Sequence, residues 1–109
     1  MAPQFHIRSQ DIPLLVHALQ SLEQAPDSWF GPVDDPTLIP DMKNAARALP
    51  VSLKLKTLRL SALDLLALQQ ACAYQCLTAN PSKQDYKLLE DYNNQFSVLL
   101  AAGNLDTFH

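Results

Sequence analysis

The sequence predicts a mainly helical α+β fold, with about four helices and a small two-stranded β ribbon; an all-helical bundle is the alternative. Apolar residues recur at steps of three and four in several segments, as they do on one face of a helix. Two short segments instead alternate apolar and polar residues, as strands do. A chain of 109 residues suits a single domain, 1–109, with one modest core.

The first predicted strand and helix lie near the amino terminus. Residues 5–8 read Phe-His-Ile-Arg and alternate in polarity, which predicts a short strand. Asp11 is expected to cap the helix that follows, with Pro13 in its first turn, where a missing N–H costs nothing. This helix should end before Pro26, and its apolar stripe comprises Ile12, Leu15, Val16, Leu19 and Leu22.

A proline-rich segment at 26–40 predicts a loop without regular structure. Its helix-breaking residues are Pro26, Gly31, Pro32, Pro36 and Pro40. Pro40 is expected to open a short second helix, which Pro50 should stop. The apolar residues of that helix are Met42, Ala45, Ala46 and Leu49.

The middle of the chain predicts the second strand and then a central helix. Residues 51–56 alternate in polarity, and their parity slips near Thr57, which indicates a bulge or a turn; a helical interpretation of this stretch stays open. Ser61 and Asp64 have capping-box spacing. The helix behind them is apolar on nearly every face, so we expect Leu66 at the centre of the core.

The last predicted helix follows the turn Asn80-Pro81. Ser82 can cap it, and it should run to about Ala102, before Gly103. Its buried face is expected to hold Tyr86, Leu89, Tyr92, Phe96, Leu99 and Leu100.

The two halves of the chain share a short pattern. Segment 5–15 and segment 58–68 each place two alternating apolar residues before an Asp that opens a helix. This similarity indicates a strand–helix–helix repeat, although so short a match can also arise by chance.

Composition restricts the classes of partner. A net charge of −3 argues against broad nucleic-acid binding, which usually needs a basic face. The last helix exposes more acids than bases, which argues against DNA binding through it. The start of the sequence shows no signal-peptide pattern, and the longest uncharged stretch, 65–82, contains too many polar residues to span a membrane. Cys72 and Cys76, four apart on one helix, indicate a reducing compartment and thus a cytoplasmic protein.

No cofactor or metal is expected. Loops that cradle phosphates need several glycines, and the chain has only Gly31 and Gly103. Cys72 and Cys76 face one side of their helix, but no histidine pair completes a metal-ligand pattern, so they are interpreted as structural thiols.

The function that these observations favour is a non-catalytic protein-interaction module, such as a regulator, inhibitor, adaptor or assembly factor. One alternative is a small enzyme or enzyme subunit that uses isolated histidines and carboxylates. Its candidate groups are His6, His17, Asp34, Asp35 and Asp41. The other alternative is an RNA-binding module that uses the basic stretch 43–59, which lacks aromatic residues for stacking.

Two sets of residues are candidates for binding a protein partner of unknown identity. Trp29, Phe30 and Leu38 offer apolar anchors in the proline-stiffened loop; the alternative for Trp29 is that it closes over the helix ends as a lid. The second set supplies positive charge and comprises Lys54, Lys56 and Arg59. Low surface charge and exposed strand edges also favour a homodimer.

Overall fold

The computed structural model describes residues 7–32, 34–54 and 60–101, and this part of the chain is helical with no strand. The predicted β ribbon is therefore wrong, and the all-helical alternative describes the fold. Two short 3-10 helices span Ser9–Asp11 and Asp27–Phe30. The α-helices are α1 (Ile12–Glu23), α2 (Leu38–Ser52), α3 (Ala62–Thr78) and α4 (Lys83–Ala101).

At Ile7 and Arg8, the described part of the predicted amino-terminal strand, the chain forms no strand, and the Arg8 N–H bonds to a side chain instead. Arg8 has extended dihedral angles, φ −71° and ψ 139°, but its N–H donates to the Tyr92 hydroxyl at 3.2 Å. Ile7 and Arg8 thus form an irregular lead-in to the first 3-10 helix, while Phe5 and His6 lie outside the described residues.

The second predicted strand is replaced by the end of α2. Val51 and Ser52 are helical, and the N–H of Leu53 donates to the carbonyl of Leu49 at 2.8 Å. The apolar residues in fact follow helical spacing, since the buried face of α2 continues from Leu49 to Leu53 while Val51 is 72% exposed. The remainder of the stretch, 55–59, lies outside the described residues.

Proline marks the bounds of α2 less sharply than the sequence predicts. The helix starts at Leu38, so Pro40 lies in its first turn, and it continues two residues past Pro50. Its buried residues include Met42, Ala46 and Leu49, as predicted. The irregular loop is correspondingly shorter than 26–40, because the 3-10 helix occupies 27–30 and α2 takes the last residues.

The helix caps were predicted well at α3 and α4. At α3 the Asp64 N–H donates to Ser61 Oγ at 3.1 Å, and the Ser61 N–H donates to Asp64 Oδ2 at 3.0 Å, which completes a capping box. At α4 the Asp85 N–H donates to Ser82 Oγ at 3.2 Å. Asp11 occupies the N-cap position of α1 but makes no capping bond with its side chain. Gly103, the predicted carboxyl-terminal cap, lies outside the described residues.

Helix α3 lies at the centre of the packing, because it contacts α1, α2 and α4, and α1 also packs on α2. Leu65 and Leu68 are fully buried in this helix, whereas Leu66 is only partly buried. The prediction that Leu66 occupies the core centre is therefore wrong, because the three helices packed on α3 leave one of its sides near solvent. Leu77, at the end of the helix, is 71% exposed.

Helix α4 buries most of the face that the sequence predicts. Leu89, Tyr92, Phe96 and Leu99 are buried, while Tyr86 is 44% exposed and so was wrongly assigned to that face. Each half of the chain does contain two helices, but the strands of the predicted repeat are absent from the described residues.

Candidate functional site

A buried polar network joins the amino-terminal segment to α4. Asp11 is only 4% exposed, and its Oδ2 accepts hydrogen bonds from Arg8 Nε at 2.8 Å and from the Tyr92 hydroxyl at 2.5 Å. The Arg8 N–H adds a third bond, to Tyr92 Oη. The two bonds to Tyr92 connect residues that are 84 and 81 positions apart in sequence.

The network satisfies a carboxylate that is withdrawn from water. Burying a charge is costly unless donors surround it, and here one donor is cationic and the other is a phenol. Burial and the bond to Asp11 raise the pKa of the Tyr92 phenol, so Tyr92 remains a donor at neutral pH. The hydrogen bond to Asp11 likewise raises the pKa of the Arg8 guanidinium. The three side chains thus serve to hold the segment against α4.

A surface groove lies beside this network, between the amino-terminal segment and α4. Its volume is about 440 Å³, and a neighbouring hollow of about 380 Å³ shares Arg8, Leu88 and Asp91 with it. We call the two together the Arg8 groove. Its lining includes Arg8, Gln10, Leu14, Gln84, Lys87, Leu88 and Asp91.

The lining of the Arg8 groove combines apolar contact area with charges of both signs. Leu14 and Leu88, both partly buried, supply apolar area from α1 and α4. Lys87 and Asp91 are exposed on α4, and the Arg8 side chain is 52% exposed although its Nε is bound to Asp11. An apolar interior with a charged rim is typical of surfaces that bind a peptide segment or a side chain of another protein.

The apolar candidates from the sequence all lie against the core. Trp29 and Phe30, in the second 3-10 helix, and Leu38, at the start of α2, are partly buried and packed on it. The Trp29 ring meets Tyr74 edge to face, with ring centroids 4.9 Å apart and an interplanar angle of 77°. This packing is what the lid interpretation of Trp29 expects; it does not test partner binding.

The basic candidates for partner binding lie only partly within the described residues. Lys54 is exposed in the turn after α2, while Lys56 and Arg59 lie outside the described residues. Two other bases of the same stretch pair within the molecule. Lys43 Nζ lies 3.2 Å from Asp27 Oδ1, and Arg47 Nε lies 2.9 Å from Glu23 Oε1. Part of the positive charge of the basic stretch 43–59 is therefore neutralised by carboxylates of α1 and of the 3-10 helix that links α1 and α2.

The groups named for an enzyme are not drawn together by any contact within the described residues. Asp35 accepts bonds from the Thr37 N–H and hydroxyl, at 2.9 and 2.8 Å, which lowers the pKa of its carboxyl. Asp34 and Asp41 are exposed, and His17 is exposed on α1. His6 lies outside the described residues.

The two thiols are free. Burial, with a smaller contribution from Cys76, raises the pKa of Cys72 to about 12. Burial also raises the pKa of Cys76, so both groups are poor nucleophiles at neutral pH. In residues 7–32, 34–54 and 60–101 no three His, Cys, Asp or Glu side chains are grouped so that they could hold a metal ion.

The sequence interpretation missed the Arg8 groove. The three-residue spacing of Arg8 and Asp11 permits a local ion pair and was the one available signal. It was overlooked because Asp11 was assigned to a helix cap. Tyr92 gave no signal of its own, since its contact with Asp11 depends on how α1 and α4 are placed.

Comparison with known proteins finds no family model, no curated protein and no solved structure that matches this chain. Within the described residues, none of the helices combines the length and apolarity needed to cross a bilayer.

Proposed function

We propose that this protein is a non-catalytic interaction module that binds a segment of a protein partner in the Arg8 groove. The observation that carries the proposal is the groove itself, held beside α4 by the buried Arg8–Asp11–Tyr92 network. A preformed surface loses little conformational entropy when a partner binds. The cost of burying Asp11 is consistent with a need to hold this surface in one geometry.

The chemistry of the network favours binding over catalysis. Asp11 accepts from two donors through one oxygen and is nearly inaccessible, so it is poorly placed to take a proton from a substrate. Tyr92 is held as a donor to Asp11, and its raised pKa makes it a weak acid. The exposed groups, Lys87 and Asp91, are suited to pairing with charges on a partner.

Site-specific photocrosslinking tests this proposal. A photoreactive phenylalanine analogue replaces Gln84 or Gln10, which both line the groove, and Ala48, exposed on α2, serves as the control position. We expect the two groove positions to capture the same polypeptide from the native host and Ala48 not to capture it. The captured protein is then purified, and its affinity is measured by calorimetry.

The affinity of the purified partner for point variants tests whether it binds in the Arg8 groove. Leu88→Glu should weaken binding of the purified partner at least about tenfold, because it places a charge on the apolar part of the groove. Leu77→Glu is the matched control, since Leu77 is already 71% exposed outside the groove. Equal affinity of both variants and the wild type would contradict a binding role for the groove.

The residues selected from the sequence provide a second candidate surface for the same function. Trp29, Phe30 and Leu38 would act as anchors, with Lys54, Lys56 and Arg59 steering an acidic partner. Reversing Lys54 and Lys56 to Glu should slow association with that partner and flatten its salt dependence. An unchanged rate and salt slope would leave the groove as the docking surface.

The remaining proposals concern location and assembly. The unpaired Cys72 and Cys76 favour a reducing compartment and thus a cytoplasmic protein. The homodimer proposal loses one of its two supports, since the described residues contain no strand edge. It now depends on the low surface charge and on exposed apolar side chains, above all Leu77 and Val98. Sedimentation at high micromolar concentration that detects only the 12.1 kDa species would contradict it.

The RNA-binding alternative is weakened by the ion pairs of α2. Lys43 and Arg47 belong to the basic stretch, but each has a carboxylate partner within the chain. They therefore contribute less to attraction of phosphates than the sequence suggests.

A further inference from the structure

Helix α3 carries two rows of side chains, one on the side that faces the core and one on the opposite side. The inner row is buried and comprises Leu65, Leu68, Cys72 and Gln75. The outer row also advances by three and four residues in turn, and it comprises Leu63, Leu66, Gln70, Ala73 and Leu77. We call the outer row the α3 stripe. Four of its members are partly buried and Leu77 is 71% exposed, so the stripe meets solvent along about 21 Å of helix.

The α3 stripe carries no charge. Asp64 is the single charged residue of α3 and belongs to the capping box, and residues 65–78 are all neutral. The solvent side of a surface helix normally carries charged and polar residues. A side with three leucines, an alanine and one glutamine, at alternating steps of three and four, is instead typical of a helix that packs against another helix.

Helix α4 adds apolar surface at one end of the stripe. Burial, with a smaller contribution from the Glu90 carboxylate, raises the pKa of Cys76, which indicates that Glu90 lies beside the last turns of α3. Tyr86 lies one turn before Glu90 on the same side of α4, and it is 44% exposed. The exposed apolar residues Tyr86 and Leu77 therefore border the same end of the α3 stripe.

We infer that the α3 stripe is the interface of a homodimer, in which it packs against the same stripe of a second copy. In a two-fold dimer each surface meets itself and must be complementary to itself. The apolar residues of the stripe meet this condition, and the Gln70 amide has both donors and an acceptor, so two copies of it can pair. Two chains that each have a net charge of −3 also repel each other least through a face without charge. The inference gives the homodimer proposed above a defined surface and does not depend on the Arg8 groove.

Gln70 sets the register of this pairing. Its neighbour Gln69 donates to Ser97 Oγ at 2.7 Å, whereas the Gln70 side chain makes no hydrogen bond within the described part of the chain. A single polar residue in an apolar helix seam fixes the register of the two helices, at a cost in stability. The stripe is also small beside a standard interface, which buries about 800 Å² on each partner. We therefore expect a weak dimer, with a Kd on the order of 10 μM or above.

Sedimentation equilibrium of the whole chain and its variants, from micromolar to millimolar concentration, tests the inference. The wild type should exchange between the 12.1 kDa species and one of twice that mass. Gln70→Glu should weaken the dimer at least about tenfold, because two carboxylates would then face each other. Gln70→Leu should tighten it by about the same factor, because it removes the polar residue from the seam. Val98→Glu is the matched control and should leave the Kd unchanged, since Val98 is 62% exposed on α4 outside the stripe.

Leu77→Glu keeps the test decisive if circular dichroism shows that Gln70→Glu fails to fold. Leu77 is too exposed for its replacement to disturb the core, and the charge should weaken the dimer at least about tenfold. A chain that stays at 12.1 kDa up to millimolar concentration would overturn both the homodimer and this interface, and would leave the stripe to a different protein. A dimer that neither Gln70→Glu nor Leu77→Glu weakens, or that Val98→Glu weakens as much, would overturn the α3 interface but not the homodimer.

Discussion

At the scale of single residues, Tyr92 shows how one hydroxyl connects stability to the groove. Burial and the bond to Asp11 raise the pKa of Tyr92 above its ordinary value of 10.0. A group whose pKa is higher in the folded state stabilises the fold fully below its unfolded-state pKa, and that stabilisation is lost as the pH rises through the folded-state pKa. The contribution of Tyr92 is therefore present at neutral pH and disappears only in alkaline solution.

The variant Tyr92→Phe tests the stabilisation by the Tyr92 hydroxyl at neutral pH and above. The substitution should lower the free energy of unfolding by about 1–3 kcal/mol, since it removes a donor from the buried Asp11. It should also reduce the alkaline loss of stability, followed by urea unfolding from neutral pH to above the tyrosine range. Tyr86→Phe is the control, because Tyr86 is 44% exposed. Matching stability curves for Tyr92→Phe and the wild type would contradict a structural role for the network.

At the residue scale too, the contacts of Trp29 bear on whether its side chain closes over the helix ends as a lid or anchors a partner. Its edge-to-face contact with Tyr74 and its packing on the core favour the lid. Trp29→Ala should then lower the free energy of unfolding by about 3 kcal/mol or more, measured by urea unfolding monitored by circular dichroism. Leu77→Ala, at an exposed site, should change it little. Nearly intact stability of Trp29→Ala, with loss of partner binding, would instead support the anchor.

At the scale of elements, the capping box decides where α3 begins. The Ser61 and Asp64 side chains each satisfy a backbone N–H that the helix leaves unpaired. Ser61→Ala should lower the free energy of unfolding by about 1 kcal/mol. Ser97→Ala serves as a comparison away from any cap, since Ser97 bonds within α4 and to Gln69. No change on Ser61→Ala, seen as an unaltered thermal midpoint, would show that packing alone determines the start of α3.

The elements also show which sequence signals were reliable. Helix caps and long apolar stripes depend on residues that are close together in sequence, and these signals predicted α1, α3 and α4. Segment 51–54 was misread because four residues fit both the alternation of a strand and the end of an amphipathic helix. The face that Leu49 and Leu53 bury is apparent only when the pattern is extended back to Met42. The contacts that form the Arg8 groove could not be predicted, because they depend on how α1 and α4 are placed relative to each other by their packing on α3.

At the scale of the whole molecule, the fold depends on α3, which contacts each of the other three α-helices of the described residues. Trp29 reports on this helix, because it packs on Tyr74 from the link between α1 and α2. A domain with one shared core should unfold in a single cooperative transition. We therefore expect Trp29 fluorescence and far-ultraviolet circular dichroism to give the same urea midpoint.

Leu68→Ala tests that cooperativity. Leu68 is fully buried in α3, so its truncation should cost about 2–5 kcal/mol and move both midpoints together. Leu66→Ala is the matched control on the same helix, and its cost should be smaller because Leu66 keeps contact with solvent. A fluorescence midpoint that stays in place while the circular dichroism midpoint falls would mean that the Trp29 segment is stabilised independently of α3. If both variants lost the same free energy of unfolding, the placement of Leu68 in the core and of Leu66 near solvent would be contradicted.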